Sequence, residues 1–147
     1  MRNSNFLLFM IGDKTLQAII QLAENNPDIS VVWLYGSRAK NTANARSDYD
    51  LAVAFKTFIK DDLLENRLRP ECLVLGWQQA LDLRNFQLSV VDINQAPIPL
   101  ASEIIEPDCV LYCCDESRLR QETRRIQSRM EIDFTRPVKY YPIQLWD

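Results

Sequence analysis

The segment VVWLYGSRAKNTANARSDYDLAVAF runs from Val31 to Phe55. It holds an apolar run, a Gly-Ser step, a polar loop, two aspartates one residue apart and a second apolar run. Ser30 to Tyr35 is rich in β-branched and aromatic side chains and reads as a buried strand, with Tyr49 to Phe55 as the next. Gly36 breaks the first strand. Ser37 to Lys40 predicts a short helical turn before the loop NTANARS.

Working outward, Asp13 is placed to cap a helix reaching about Asn25, with Leu16, Ile19, Ile20 and Ala23 on one face. Asp61 to Leu83 is helical in pattern. Pro70 inside it predicts two helices or a kink. Phe86 to Ile93 reads as a third strand, Leu100 to Glu106 as a short helix, and Cys109 to Cys113 as a fourth strand. Asp115 or Ser117 opens a last helix to about Phe134, with Leu119, Thr123, Ile126, Met130 and Phe134 on its apolar face. Arg118, Arg125 and Arg129 lie on another face, read as solvated. Strands alternate with helices, so the expected class is α/β: a small mixed sheet of about four strands flanked by helices.

The 147 residues suit one domain with its own core. Hydrophobic residues make up 47% and charged residues 25%, too apolar a mixture for disorder. The formal net charge of -3 argues against long nucleic acid as the main ligand, though not against a single nucleotide. No segment approaches the ~20 apolar residues of a membrane span. Phe6 to Ile11 is read as the lead-in to the first helix, without a cleavage site, and the protein is expected in the cytoplasm. Cys72, Cys109, Cys113 and Cys114 show no metal-ligand spacing and are expected as reduced, small core residues. The chain has no histidine, which removes any mechanism with a histidine base.

The chemistry concentrates at the ends of the first two strands. Glycine admits backbone angles closed to other residues and a close approach to the main chain. The amides after Gly36, the Ser37 hydroxyl and the Arg38 guanidinium form a candidate anion cradle. Asp48 and Asp50 project to one strand face, ~7 Å apart at the backbone. Two carboxylates at ~5 Å repel by roughly 3 kcal/mol at an effective dielectric near 20. Either a divalent cation sits between them or water screens them at a solvated loop end. Lys40 and Arg46 on the loop read as ordinary solvated charges that could assist.

Gly-Ser, a spacer and Asp-x-Asp entering a strand resemble the DNA polymerase β-like nucleotidyltransferases, and most of all the minimal nucleotidyltransferases. The specific motif spans Gly36 to Asp50, with the looser order of elements extending to about residue 134. The resemblance implies transfer of a nucleoside monophosphate from a triphosphate, ATP in our reading, to a hydroxyl. It implies two Mg²⁺ ions held by Asp48, Asp50 and a third carboxylate on a later strand, for which Asp92 is the candidate. Asp92 would hold the ion nearest the acceptor hydroxyl and could accept its proton. Gly36, Ser37 and Arg38 would bind the nucleotide. Because Asp92 falls late in its apolar run, either the strands are staggered or the third strand begins nearer Ser89.

So small a chain leaves little room for an acceptor domain. The resemblance therefore implies an antitoxin whose acceptor is a HEPN-type ribonuclease toxin, modified on a tyrosine. The alternatives are an antitoxin that acts by binding alone, or transfer to a small molecule. Residues 1–134 are read as the nucleotidyltransferase domain. The tail 135–147, with Tyr140, Tyr141, Ile143, Leu145 and Trp146, is read as a segment that docks a partner or a second copy.

Overall fold

The computed structural model describes residues 12–40, 42–44, 47–58, 61–81 and 87–135. Helix α1 (Lys14–Glu24) begins at Asp13, whose carboxylate accepts the Leu16 amide at 3.0 Å as an N-cap. Strand β1 (Ile29–Tyr35) leads into a single 3₁₀ turn at Gly36–Arg38, and β2 (Tyr49–Phe55) returns beside it. Helix α2 (Leu63–Leu81), β3 (Leu88–Asp92), α3 (Ile98–Ile105), β4 (Val110–Cys113) and α4 (Glu116–Met130) follow. One π turn, Glu131–Thr135, then closes the described chain.

The sheet order is β3-β2-β1-β4. β1 pairs antiparallel with β2 and with β4, while β2 and β3 are parallel across the α2 crossover. This is the expected small mixed sheet of α/β class. Alternate residues of β1 explain its continuous apolar run. Val32 and Leu34 pack with Leu16, Ile19 and Trp77 under α1 and α2. Val31 and Trp33 pack with Ala101, Ile104 and Ile126 under α3 and α4. Both faces are covered, so no polar alternation survives.

Of the two outcomes expected of Pro70, a split into two helices does not occur; α2 runs through it. A proline has no N–H to offer the carbonyl four residues earlier, here that of Asn66. The Gln95 side-chain amide donates to that carbonyl at 2.9 Å instead, and the orphaned acceptor is satisfied from outside the helix. Cys109 is buried, as expected of a small core residue, and burial together with the Asp108 charge pushes its thiol up to about 11. Cys72 and Cys114 are exposed, against the core reading. Among the described residues no helix is long and apolar enough to cross a membrane. Phe6 to Ile11, Arg46, Phe86 and the tail 136–147 lie outside the described residues.

The arginines of α4 are not simply a solvated face. Glu122, only 4% exposed, is held by Arg118 Nε at 2.7 Å, Arg125 Nε at 2.9 Å and the Asn94 side-chain amide at 3.0 Å. Arg118 also donates to the Phe55 carbonyl and to Asn94 Oδ1, which ties α4 to the ends of β2 and β3. Burial works to raise the Glu122 pKa, but the bonds from Arg118, Asn94 and Arg125 outweigh it and hold the carboxyl below its ordinary value. A depressed carboxyl contributes stability above its unfolded pKa and loses it as pH falls through the folded one. Glu122→Gln should therefore cost about 1–3 kcal/mol in urea unfolding at pH 7. The gap from wild type should shrink as the solution is made acid below the ordinary glutamate range.

Candidate functional site

The site forms where β1 hands the chain to β2. Gly36 takes φ +73, a conformation that L side chains rarely adopt. It is glycine for a second reason: a methyl group on its Cα would overlap Asp50 Oδ2. The Asp50 carboxylate thus lies directly on the turn, across the strand pair in which Tyr35 faces Asp50. The turn closes on itself, with the Ala39 and Lys40 amides both donating to the Gly36 carbonyl at 3.2 Å. Thr42 then returns its amide to the Ser37 carbonyl at 3.0 Å. Ser37 is held between these bonds, next in the chain to the glycine on which the carboxylate lies.

The charge of Asp50 is felt against burial and a like charge. The Asp50 pKa is raised, first by burial and then by the neighbouring Asp48 charge. The Tyr35 phenol is raised by burial, by Asp50 and by Glu103 of α3. Asp48 lies near enough for its charge to be felt at Asp50. One half-buried and one exposed carboxylate in mutual repulsion, set against a glycine turn, suit a cation bound between them.

Arg38 takes a different place from the one expected. Its guanidinium stacks over the Tyr49 ring at 3.9 Å. Nε and Nη2 donate to the Ser47 carbonyl at 3.1 and 2.9 Å, Nη2 also to the Asn44 carbonyl at 3.2 Å, and Nη1 lies 3.9 Å from Asp13 Oδ2. The side chain is a clip that fastens the connecting loop to β2 and α1. It is not a cation held out toward a phosphate. Tyr49 completes the clip by donating its hydroxyl to Asp13 Oδ2 at 3.2 Å.

Asp92 is also elsewhere. In the parallel pairing Asp50 is level with Ser89, and Asp92 is level with Val53, three residues further on. Three residues of strand span about 10 Å. The odd offset also turns Asp92 to the other face, the one covered by α1 and α2, where its partner Val53 packs. There it accepts the Asn94 amide at 2.9 Å and lies 3.9 Å from Arg69 Nη2. It lines a separate cavity of about 340 Å³ with Phe55, Arg69, Asn94 and Arg118. Burial raises its pKa despite those partners. The expected trio of carboxylates is a pair, and among the described residues no three His, Cys, Asp or Glu side chains come together as a metal site. Two neighbours of the site carried no signal of their own in the sequence: Tyr35, opposite Asp50, and Ser89, beside it.

Residues 17–117 match the family model described as Polymerase beta, Nucleotidyltransferase. Among solved structures, a chain from the crystal structure of a toxin-antitoxin with AMP-PNP superposes with a TM-score of 0.60 at 19% identity, over 82% of this chain and 90% of that one. A chain from the toxin-antitoxin MntA-HepT gives 0.57 at 19% identity, over 80% and 85% of the two chains. A third, from a tri-AMPylated Shewanella oneidensis HEPN toxin in complex with MNT antitoxin, gives 0.57 at 19% identity, over 80% and 84%. At these identities the likeness is one of fold. No curated protein matches the chain.

Because burial and Asp48 raise the Asp50 pKa, its ionised form destabilises the metal-free fold above that value, and the cost disappears as pH falls below the unfolded one. Asp50→Asn should therefore show a higher urea midpoint than wild type at pH 7.5 in chelator, and the gain should fade in acid. A lower midpoint at pH 7.5 would contradict this account of the site's charge.

Proposed function

The chain belongs to the Polymerase beta, Nucleotidyltransferase family, and on that premise we propose that it is an antitoxin that transfers AMP from ATP to a hydroxyl of a HEPN-type toxin. A tyrosine is the acceptor in this reading, and the modification neutralises the toxin. The observation that carries the reading is the packing of the Asp50 carboxylate on the Gly36 turn, with Asp48 beside it and Ser37 on the turn itself. The toxin-antitoxin setting of the structural neighbours, one holding AMP-PNP and one a tri-AMPylated toxin, supports the choice of nucleotide and partner.

In this reaction the acceptor oxygen forms a bond to the α-phosphorus. The bond from that phosphorus to the α,β-bridging oxygen breaks, pyrophosphate leaves and the acceptor's proton passes to solvent. Asp48 and Asp50 would hold Mg²⁺, which when bound offsets the triphosphate charge and polarises the reacting phosphoryl group. Gly36, lacking a Cβ, lets the Asp50 carboxylate and the metal it would hold sit against the main chain of the turn where the phosphates would be received. Ser37 offers a hydroxyl at the same edge. Arg38 keeps the loop that carries Asp48 folded down, so that the two aspartates converge before any nucleotide arrives.

A second reading is favoured by one observation. With Asp92 on the other face, β3 contributes no carboxylate beside Asp50. An antitoxin that silences its toxin by binding alone needs none. Incubation of the full chain with its toxin partner, Mg²⁺ and labelled ATP separates the two. Transfer predicts label on the toxin and an AMP increment in its intact mass. An Asp48→Asn/Asp50→Asn double variant should lower that labelling at least about 10²-fold while still binding the toxin. Neutralisation without label would favour the binding-only reading. Wild-type labelling by the double variant would remove these residues from the chemistry.

A further inference from the structure

The register of β2 and β3 fixes what stands beside Asp50. Ser89 is its Cα partner, and the next pair on the same face, Ala52 and Val91, packs against the cluster under α3 and α4. Asp50 and Ser89 therefore rise from one face of neighbouring strands about 4.8 Å apart. A carboxylate at position 89 would reach the point on which Asp48 and Asp50 converge. A serine hydroxyl there is neutral, and a divalent cation gains far less from it than from a charged oxygen.

Among the described residues no other acid fills the gap. Asp92 is on the opposite face, level with Val53. Glu103 on α3 is exposed, and its charge is felt at Tyr35. Among the described residues no third metal-ligating side chain joins the pair. We propose that the nucleotide site of this chain is a two-carboxylate, single-ion site, in which Ser89 occupies the position from which a second ion would have to be held. The inference rests on the reading that Asp48 and Asp50 are the metal ligands, and it concerns how many ions they can keep.

The test is the Mn²⁺ content of the full chain with α,β-methylene-ATP, counted by titration and by electron paramagnetic resonance. Wild type should bind one Mn²⁺ per bound nucleotide, with the spectrum of an isolated ion. Ser89→Asp should bind two, with the signature of a magnetically coupled pair, and Ser89→Ala should remain at one. Ser89→Glu serves in place of S89D if that variant does not fold by circular dichroism. Two ions on wild type would overturn the inference, as would a single ion on both acidic variants. The Asp48→Asn/Asp50→Asn double variant separates the two levels. If two ions on wild type disappear in the double variant, only the count is wrong. If Mn²⁺ binding with nucleotide persists in the double variant, the ligand assignment itself fails, and this inference with it.

Discussion

The approach of the Asp50 carboxylate to the bare Cα of Gly36 constrains everything else at this end of the molecule. It demands a residue without Cβ at the end of β1, a left-handed backbone angle there, and a β1–β2 register that puts Tyr35 opposite Asp50. The apolar strands on either side can vary in detail and still fill the two cores. The turn cannot. A side chain at position 36 would displace the carboxylate that Asp48 and Ser37 flank.

Much of this was legible in the sequence because the signal is local. A buried strand, a glycine, a polar loop and an Asp-x-Asp entering a second strand all lie within Val31 to Phe55, and a short hairpin leaves few ways to arrange them. The residues misjudged depend on tertiary placement that a local pattern leaves open. Asp92 ends an apolar run much as Asp50 begins one. Which of β3's residues lies level with Asp50 is set by how the α2 crossover docks, and a slip of one residue exchanges the faces. Arg38 could face a ligand or fold back, and only the positions of the Ser47 and Asn44 carbonyls decide. Glu122 belongs to a helix rich in charge. It is buried because Arg118, Arg125 and Asn94 converge on it from two elements.

The two ends of the sheet handle charge in opposite ways. At the far end each acid has cationic or amide partners: Asp28 with Arg69, Asp92 with Arg69 and the Asn94 amide, Glu122 with two arginines. That network fastens α2 and α4 to the strand ends. At the near end Asp48 and Asp50 face each other, and the nearby guanidinium of Arg38 is spent on loop carbonyls. Asp28, Asp92 and Glu122 are held by partners at the far end, whereas among the described residues Asp50 meets a like charge at a glycine turn. This contrast supports the proposed reading of the Gly36 turn as the place where a ligand binds.

The sheet order carries a consequence for assembly of the domain. Gly36, Ser37, Asp48 and Asp50 all belong to the β1–β2 hairpin, whereas Ser89 arrives on a strand that must first cross over through α2. Hairpin closure needs a short loop, and parallel pairing across a crossover needs a much longer one, so the first has the smaller entropic barrier. The two aspartates are thus set against the turn by contacts close in sequence. What β3 brings to that edge is therefore added to a carboxylate pair that the hairpin has already set in place.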